Sequence, residues 1–255
     1  MPTRLVVAGA AGRMAREIVA AAAGDPAVEV VAGTVRPGSG RSVEGLPTFE
    51  SAVEALRGGD VLVDFTTPAA TIANARAAAE LGKAAVIGTT GLSDEQLAEL
   101  RSLGGRAPIL YGRNMSVGVN AVLQILPALV RVLEGYDVEI TEAHHRHKRD
   151  APSGTALAIA EVIAETVGRR LDELAIYGRE GIKPRQPGEI GIHALRGGGN
   201  AGEHTVLFAD EGEQIQLVHR AYSRRTFALG ALRAARWVSG RPPGFYGMPD
   251  LLGAS

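Results

Sequence analysis

Short apolar runs alternate with Ala-rich stretches of helical period through the first half of the chain. RLVVA at residues 4–8, VEVVAGT at 28–34, VLVDF at 61–65, AAVIG at 84–88 and PILYG at 108–112 are brief and nearly all apolar. That is the pattern of parallel strands covered on both faces. Between them, residues 12–23, 69–81 and 93–103 carry helical spacing, and the last opens on Ser93-Asp94-Glu95-Gln96, a capping-box sequence. Strand and helix in alternation predict a parallel sheet with right-handed crossovers.

The pattern changes near residue 116, which places a domain boundary at 113–118. Residues 118–133 read as a longer apolar helix, with Pro127 as a kink. Residues 136–143 alternate like a strand, 144–152 form a basic loop, and a helix runs from Ser153 to about Val167. Residues 168–189 read as loop. Three strand-like segments follow at 190–197, 203–210 and 213–221, and their alternation implies a sheet with one face open to water or a partner. A helix at 226–239 and a loop-like tail, RPPGFYGMPDLLGAS, complete the reading.

Composition narrows the function classes. The chain has 255 residues, long enough for two domains with a sizeable core. Its net charge of −1 gives no global field toward nucleic acid or a membrane. It has no cysteine, which excludes disulfides, thiolate catalysis and Cys-ligated metals, and fits a cytoplasmic location. No run of about 18 apolar residues is present, so no spanning helix is expected.

Two segments carry candidate chemistry. Gly9-Ala10-Ala11-Gly12-Arg13-Met14-Ala15 joins the first strand to the first helix as G-x-x-G-x-x-A. Gly9 permits a tight turn, and Gly12 lets the backbone approach a pyrophosphate at the helix N-terminus. The second strand ends in Thr34-Val35-Arg36 with no carboxylate for a ribose 2′-hydroxyl. Arg36 there suits a 2′-phosphate, or is a solvated loop arginine. Thr66-Thr67-Pro68 and Gly88-Thr89-Thr90-Gly91 lie at later strand ends, where open α/β sheets bind ligands. The second segment is Glu142-Ala143-His144-His145-Arg146-His147-Lys148-Arg149-Asp150-Ala151-Pro152-Ser153-Gly154-Thr155, with six successive residues able to carry positive charge. It fits an anion-binding loop with His and Lys as proton donors, and Ser153 caps a helix whose N-terminus can hold a carboxylate. A solvated basic loop, a metal site through His144 and His147, and a nucleic-acid patch are the other readings. The flanking cations oppose a metal, and the absence of interleaved aromatics opposes nucleic acid.

EAHHRHKRDAPSGTA closely resembles the signature of the dihydrodipicolinate reductase family. AGAAGRM, VLVDFTTP, VIGTTG, NMSVGVN, GEHTVLFAD and SRRTFALGALRAA follow in the family's order, so the resemblance spans nearly the whole chain. It implies NAD(P)H-dependent reduction of 4-hydroxy-tetrahydrodipicolinate to tetrahydrodipicolinate, in the diaminopimelate route to lysine. It implies His144 as catalytic proton donor and acceptor and Lys148 as proton donor. Substrate would meet His145, Ser153, Gly154, Thr155 and Arg224. Cofactor would meet Gly9, Ala10, Ala11, Gly12, Arg13, Met14, Arg36, Gly88, Thr89, Thr90, Gly112, Arg113, Asn114 and Met115, with NADPH preferred and NADH accepted. No metal is implied.

The implied fold is a Rossmann-type parallel sheet in residues 1–115, to which 226–255 return, and a substrate and oligomerisation domain in 116–225. The second domain's sheet would be mixed and mostly antiparallel. The partners would be the dicarboxylate and three further copies in a homotetramer, with no nucleic acid and no membrane. Ala15 and Val35 depart from residues common in the family, a glycine and, in some members, an acidic ribose ligand. The competing functions are another two-domain NAD(P)-dependent reductase of a small carboxylate, and a non-catalytic NADP(H)-binding regulator.

Overall fold

The computed structural model describes residues 1–253. The chain divides into two compact units, residues 1–117 with 224–255, and residues 118–223.

In the first unit, β1 (Thr3–Ala8) leads through a glycine turn to α1 (Arg13–Ala22), followed by β2 (Val28–Thr34). Then come β3 (Thr48–Phe49), α2 (Ala52–Leu56), β4 (Val61–Asp64), α3 (Pro68–Glu80) and β5 (Ala84–Ile87). The N-terminal part closes with α4 (Asp94–Leu103) and β6 (Pro108–Tyr111). The capping box at Ser93 forms in full, with both its side-chain bonds.

The continuous apolar runs do become parallel strands buried on both faces. Val61, Leu62 and Val63 of β4 and Ala85, Val86 and Ile87 of β5 are fully inaccessible. The strand ends fall one residue short of the expected ends at Phe65, Gly88 and Gly112. There the chain turns out of the ladder, and the amides of Gly88 and Gly112 bond back to the carbonyls of Asp64 and Ile87.

The second unit follows α5 (Val117–Val132), most of which belongs to it, with β7 (Asp137–His144) and α6 (Gly154–Thr166). It continues through α7 (Leu171–Leu174) and β8 (Ala175–Tyr177) to β9 (Ile190–Arg196), β10 (Glu203–Ala209) and β11 (Gln214–Arg220). Helix α5 runs through Pro127, which has no N–H to donate to the Leu123 carbonyl. The strand order is β11-β10-β7-β9-β8. The sheet is mixed as expected. Two pairings are antiparallel and two parallel, so antiparallel pairing does not predominate. The core forms where Leu126 and Val130 of α5 and Ile159, Ala160 and Ile163 of α6 meet Ile140, Ile192, Val206 and Phe208 of the sheet.

The chain then completes the first unit with α8 (Arg225–Val238), β12 (Gly244–Gly247) and α9 (Met248–Leu252). Strand β12 pairs in parallel with β6, giving the seven-stranded order β12-β6-β5-β4-β1-β2-β3, parallel throughout. Helices α1 and α8 supply the core on one face of this sheet. Helices α2, α3 and α4 supply it on the other. Gly230 is what lets α8 lie so close, since a Cβ there would sit 1.7 Å from the Met115 carbonyl oxygen.

Two expected loops, and one stretch without a reading, contain elements. Residues 168–189 hold α7 and β8, and the tail holds β12 and α9, while β3 and α2 fall in the stretch after β2 that gave no reading. Each is a turn of helix or a strand of two to four residues, too short to show a period. Partners elsewhere in the fold create them. The last two tail residues lie outside the described residues.

Candidate active site

Alternation along β7 turns Glu142 and His144 to the same buried face, and Glu142 is wholly inaccessible. Its carboxylate accepts four hydrogen bonds. The Nδ1–H of His144 donates to Oε2 at 2.6 Å and the backbone N–H of Ser153 to Oε1 at 2.9 Å. Arg196, from the end of β9, donates to Oε2 at 2.8 Å and to Oε1 at 2.7 Å. Arg196 also donates to the Asp150 carbonyl at 2.6 Å, and Asp150 holds Lys148 through both carboxylate oxygens at 2.9 Å. One buried carboxylate thus fixes the imidazole, the basic loop and the start of α6 together.

The His144 bond to Glu142 places a proton on Nδ1 and leaves Nε2 for chemistry. That nitrogen faces Gly202, where a Cβ would stand 3.0 Å away. Ser153 caps α6 by accepting from the Ala156 N–H at 3.2 Å, and its hydroxyl also meets Nε2 of His204 at 3.0 Å. The rings of His144 and His204 lie edge to face, 5.2 Å between centroids.

Burial dominates the titration of these groups. It pushes His144 below its ordinary value, and the hydrogen bond and charge of Glu142 offset part of the effect. It pushes His204 down to about 4, helped by the positive character of its neighbours His144 and His219. Burial alone would raise Glu142, but the bonds from Arg196, His144 and Ser153 hold it below the ordinary carboxylate value. The site's imidazoles are neutral near pH 7 until a negative ligand favours their charged forms.

The other expected loop residues are distributed as follows. His145 is half-buried, its amide bonds to the Asn200 carbonyl, and its Nδ1 is a buried atom without a protein partner. Gly154 and Thr155 occupy the first turn of α6, where backbone N–H groups can face a carboxylate. Arg224 stands at the N-cap of α8, in the first unit. Lys148 lies in the basic loop with its ammonium against Asp150.

In the first unit, Gly9 adopts a left-handed φ of 64° and its Cβ would press on the Thr66 methyl at 2.8 Å. A Cβ on Gly12 would sit 2.9 Å from the Gly9 carbonyl. Gly12 caps α1 with no side-chain hydrogen bond, so the first-turn amides have no side-chain cap. This cradle fits a pyrophosphate. Arg36 is exposed beyond β2, and the only side chains at 34–36 are Thr34, Val35 and Arg36. Ala11 and Met14 are half-buried and Arg13 is exposed. Thr90 and Arg113 are exposed, whereas the side chains of Ala10, Thr89 and Met115 are buried and leave their backbones to face a ligand. Gly88, Gly112 and Asn114 lie just past the ends of β5 and β6.

Sequence reasoning missed Glu142, Arg196 and His204. Glu142 could have been found, because strand alternation puts it on the face of His144. Arg196 lies 54 residues from Glu142 and His204 lies 51 residues from Ser153, so neither carries a local signal; only the parallel register of β7 with β9 and the antiparallel register of β7 with β10 bring them in.

Residues 3–115 match the family described as dihydrodipicolinate reductase, N-terminus, and residues 118–252 match dihydrodipicolinate reductase, C-terminus. The 4-hydroxy-tetrahydrodipicolinate reductase of Rubrobacter xylanophilus is 51% identical over 264 residues, covering 99% of each chain. The enzyme of that name from Chromohalobacter salexigens is 48% identical and covers 98% of each. Among solved structures, a dipicolinate-bound dihydrodipicolinate reductase from Paenisporosarcina sp. TG-14 is similar with a TM-score of 0.78 at 26% identity, covering 98% of this chain and 99% of that one.

Proposed function

The chain belongs to the dihydrodipicolinate reductase family and reduces 4-hydroxy-tetrahydrodipicolinate with a pyridine nucleotide, and we propose that His144 and Lys148 supply the protons. The bond from His144 to the buried Glu142 is the observation that carries this assignment. It leaves Nε2 as the working nitrogen, an acceptor when neutral and a donor when protonated. A bound dicarboxylate favours the protonated form.

The bound nucleotide supplies hydride to the substrate ring. Loss of the 4-hydroxyl as water puts a proton on the leaving oxygen and takes one from the neighbouring ring carbon. Negative charge then builds on the conjugated ring as hydride arrives and is discharged by a proton returned to carbon, so that one hydride and one proton are consumed overall. Lys148 stabilises that charge and donates a proton. His144 serves the second transfer. The first turn of α6, with Ser153, Gly154 and Thr155, holds one carboxylate, and His145 and Arg224 contribute to the substrate's anionic groups.

On the cofactor side, Gly9 to Met14 cradle the pyrophosphate, while Gly88 to Thr90 and Gly112 to Met115 line the rest. Arg36 meets the 2′-phosphate, so NADPH binds more tightly than NADH, and both work. The reaction belongs to the diaminopimelate route to lysine, in the cytoplasm. The chain assembles as a homotetramer through the open face of the mixed sheet. That face carries Leu195 and Val218, 55% and 43% exposed, which supports burial against further copies.

The test is turnover. Oxidation of NADPH and NADH is followed with 4-hydroxy-tetrahydrodipicolinate, and the molecular mass is measured by sedimentation. Turnover only with another carboxylate, or nucleotide binding without turnover, would overturn the reading. A monomer would overturn the tetramer.

A further inference from the structure

Asp64 ends β4 beside β1, at the point of the parallel sheet where the strand order reverses, and it is completely buried. The proton transfers above do not use it. No cation compensates it in the hydrogen bonds it makes. Its Oδ1 accepts from the Thr66 N–H at 2.7 Å and the Thr66 hydroxyl at 2.6 Å. Its Oδ2 accepts from the Asn74 amide at 2.8 Å. Two more hydroxyls converge on Oδ1, Thr71 at 3.2 Å and Thr89 at 3.3 Å, and Thr71 is 2.7 Å from Thr89.

Each hydroxyl has one hydrogen, and this fixes the direction of the network. Thr71 donates along its shorter contact to Thr89, Thr89 donates to Asp64, and Thr66 donates to Asp64. Thr71 can also donate directly to Asp64, but the Thr66 direction is the same either way, because a carboxylate can only accept and 2.6 Å is the shortest contact in the network. Thr66 is half-buried and its methyl is the group that packs on Gly9. With its hydrogen turned inward, the Thr66 oxygen offers only lone pairs toward the end of the strand, where open parallel sheets bind ligands.

We propose that Asp64 is a positioning residue that makes Thr66 an obligate hydrogen-bond acceptor for a donor on the nucleotide, a ribose hydroxyl or the carboxamide NH2. The proposal rests on the pyridine-nucleotide reading. Ala at position 64 offers no acceptor. It leaves the Thr66 hydrogen without its inward partner, so that the hydrogen can turn to face the ligand's donor.

NADPH binding to the full-length protein, read by fluorescence of the reduced cofactor, tests this without turnover. Asp64→Ala and Thr66→Val should each weaken NADPH about ten-fold, the loss of roughly one good hydrogen bond. Thr66→Ser keeps the hydroxyl and should stay within about two-fold, which a purely structural role for the methyl would not give. Circular dichroism confirms that each variant is folded. The reduced 3-acetylpyridine analogue, which lacks the amide N–H, assigns the donor. An equal loss with both cofactors points to ribose, and a loss confined to NADPH points to the carboxamide.

Wild-type affinity in folded Asp64→Ala would overturn the proposal. If that variant does not fold, wild-type affinity in Thr66→Val overturns it instead. A native protein that binds no pyridine nucleotide would count against the cofactor reading itself.

Discussion

Replacing Glu142 by Gln removes one charge and almost no volume. All four neighbours of the native carboxylate are donors: His144 Nδ1–H, two N–H groups of Arg196 and the Ser153 amide. Glutamine has one acceptor oxygen. If that oxygen stays toward Ser153, the new NH2 group meets His144, whose ring must move its proton to Nε2 and lose its free lone pair there. If the side chain turns over, the Ser153 amide is left facing a donor at the helix start.

Breaking a buried charge pair costs about 3–5 kcal/mol. The Arg196 side chain is 20% exposed and can partly rehydrate, so we expect about 3 kcal/mol of stability lost. The wrong tautomer at a catalytic histidine lowers kcat by roughly 10²–10⁴-fold, with KM changing far less. The native carboxylate raises the His144 pKa against the effect of burial, so Gln should also move the histidine limb of the pH–rate profile to lower pH. Steady-state kinetics across pH and denaturant unfolding measure all three effects. A variant with kcat within two-fold of native and an unmoved profile would refute the coupling of Glu142 to His144.

Three further outcomes are expected. Lys148→Ala should lower kcat by about 10²-fold or more, checked by single-turnover kinetics, if its proton is used as charge develops on the substrate, as proposed above. The His204 pKa falls from 6.5 to about 4 on folding, so its stabilising contribution is present above 6.5 and lost as pH falls toward 4. At about 1.4 kcal/mol per pH unit this amounts to about 3 kcal/mol, and a urea midpoint that stays flat across that window would contradict it. Arg36→Ala should weaken NADPH a few-fold and leave NADH unchanged, with the gap narrowing at high salt in paired titrations.

The framework of the first unit was legible because buried parallel strands leave continuous apolar runs, as at Val61–Val63 and Ala84–Ile87. The capping box at Ser93 was legible because its two bonds are local. Strands β8 and β12 were not, since each exists only through pairing with a strand already in place. In the site, His144 and Lys148 stood out by their density of charge. Arg196 did not, because a lone arginine ending a strand says nothing of the carboxylate 54 positions earlier that it serves. Arg36 and Lys148 are candidates that local sequence picks out, and Glu142 was within reach in the same way, because strand alternation already sets it on the face of His144.

The return of the chain to its first unit has a consequence for synthesis. Ala228, Ala231, Leu232, Ala235 and Val238 of α8 fill one face of the parallel sheet, and β12 covers its β6 edge. Residues 1–117 emerge from the ribosome long before either arrives. They wait with an apolar face and a strand edge open, the features that chaperones bind and that promote aggregation. Residues 118–223 are continuous and have their own core, so they can fold while that wait continues. The synthesis of α8 and β12 therefore decides when the apolar face and the β6 edge of the first unit are covered. A nascent chain stalled before Arg224 should be held by chaperones through its N-terminal half.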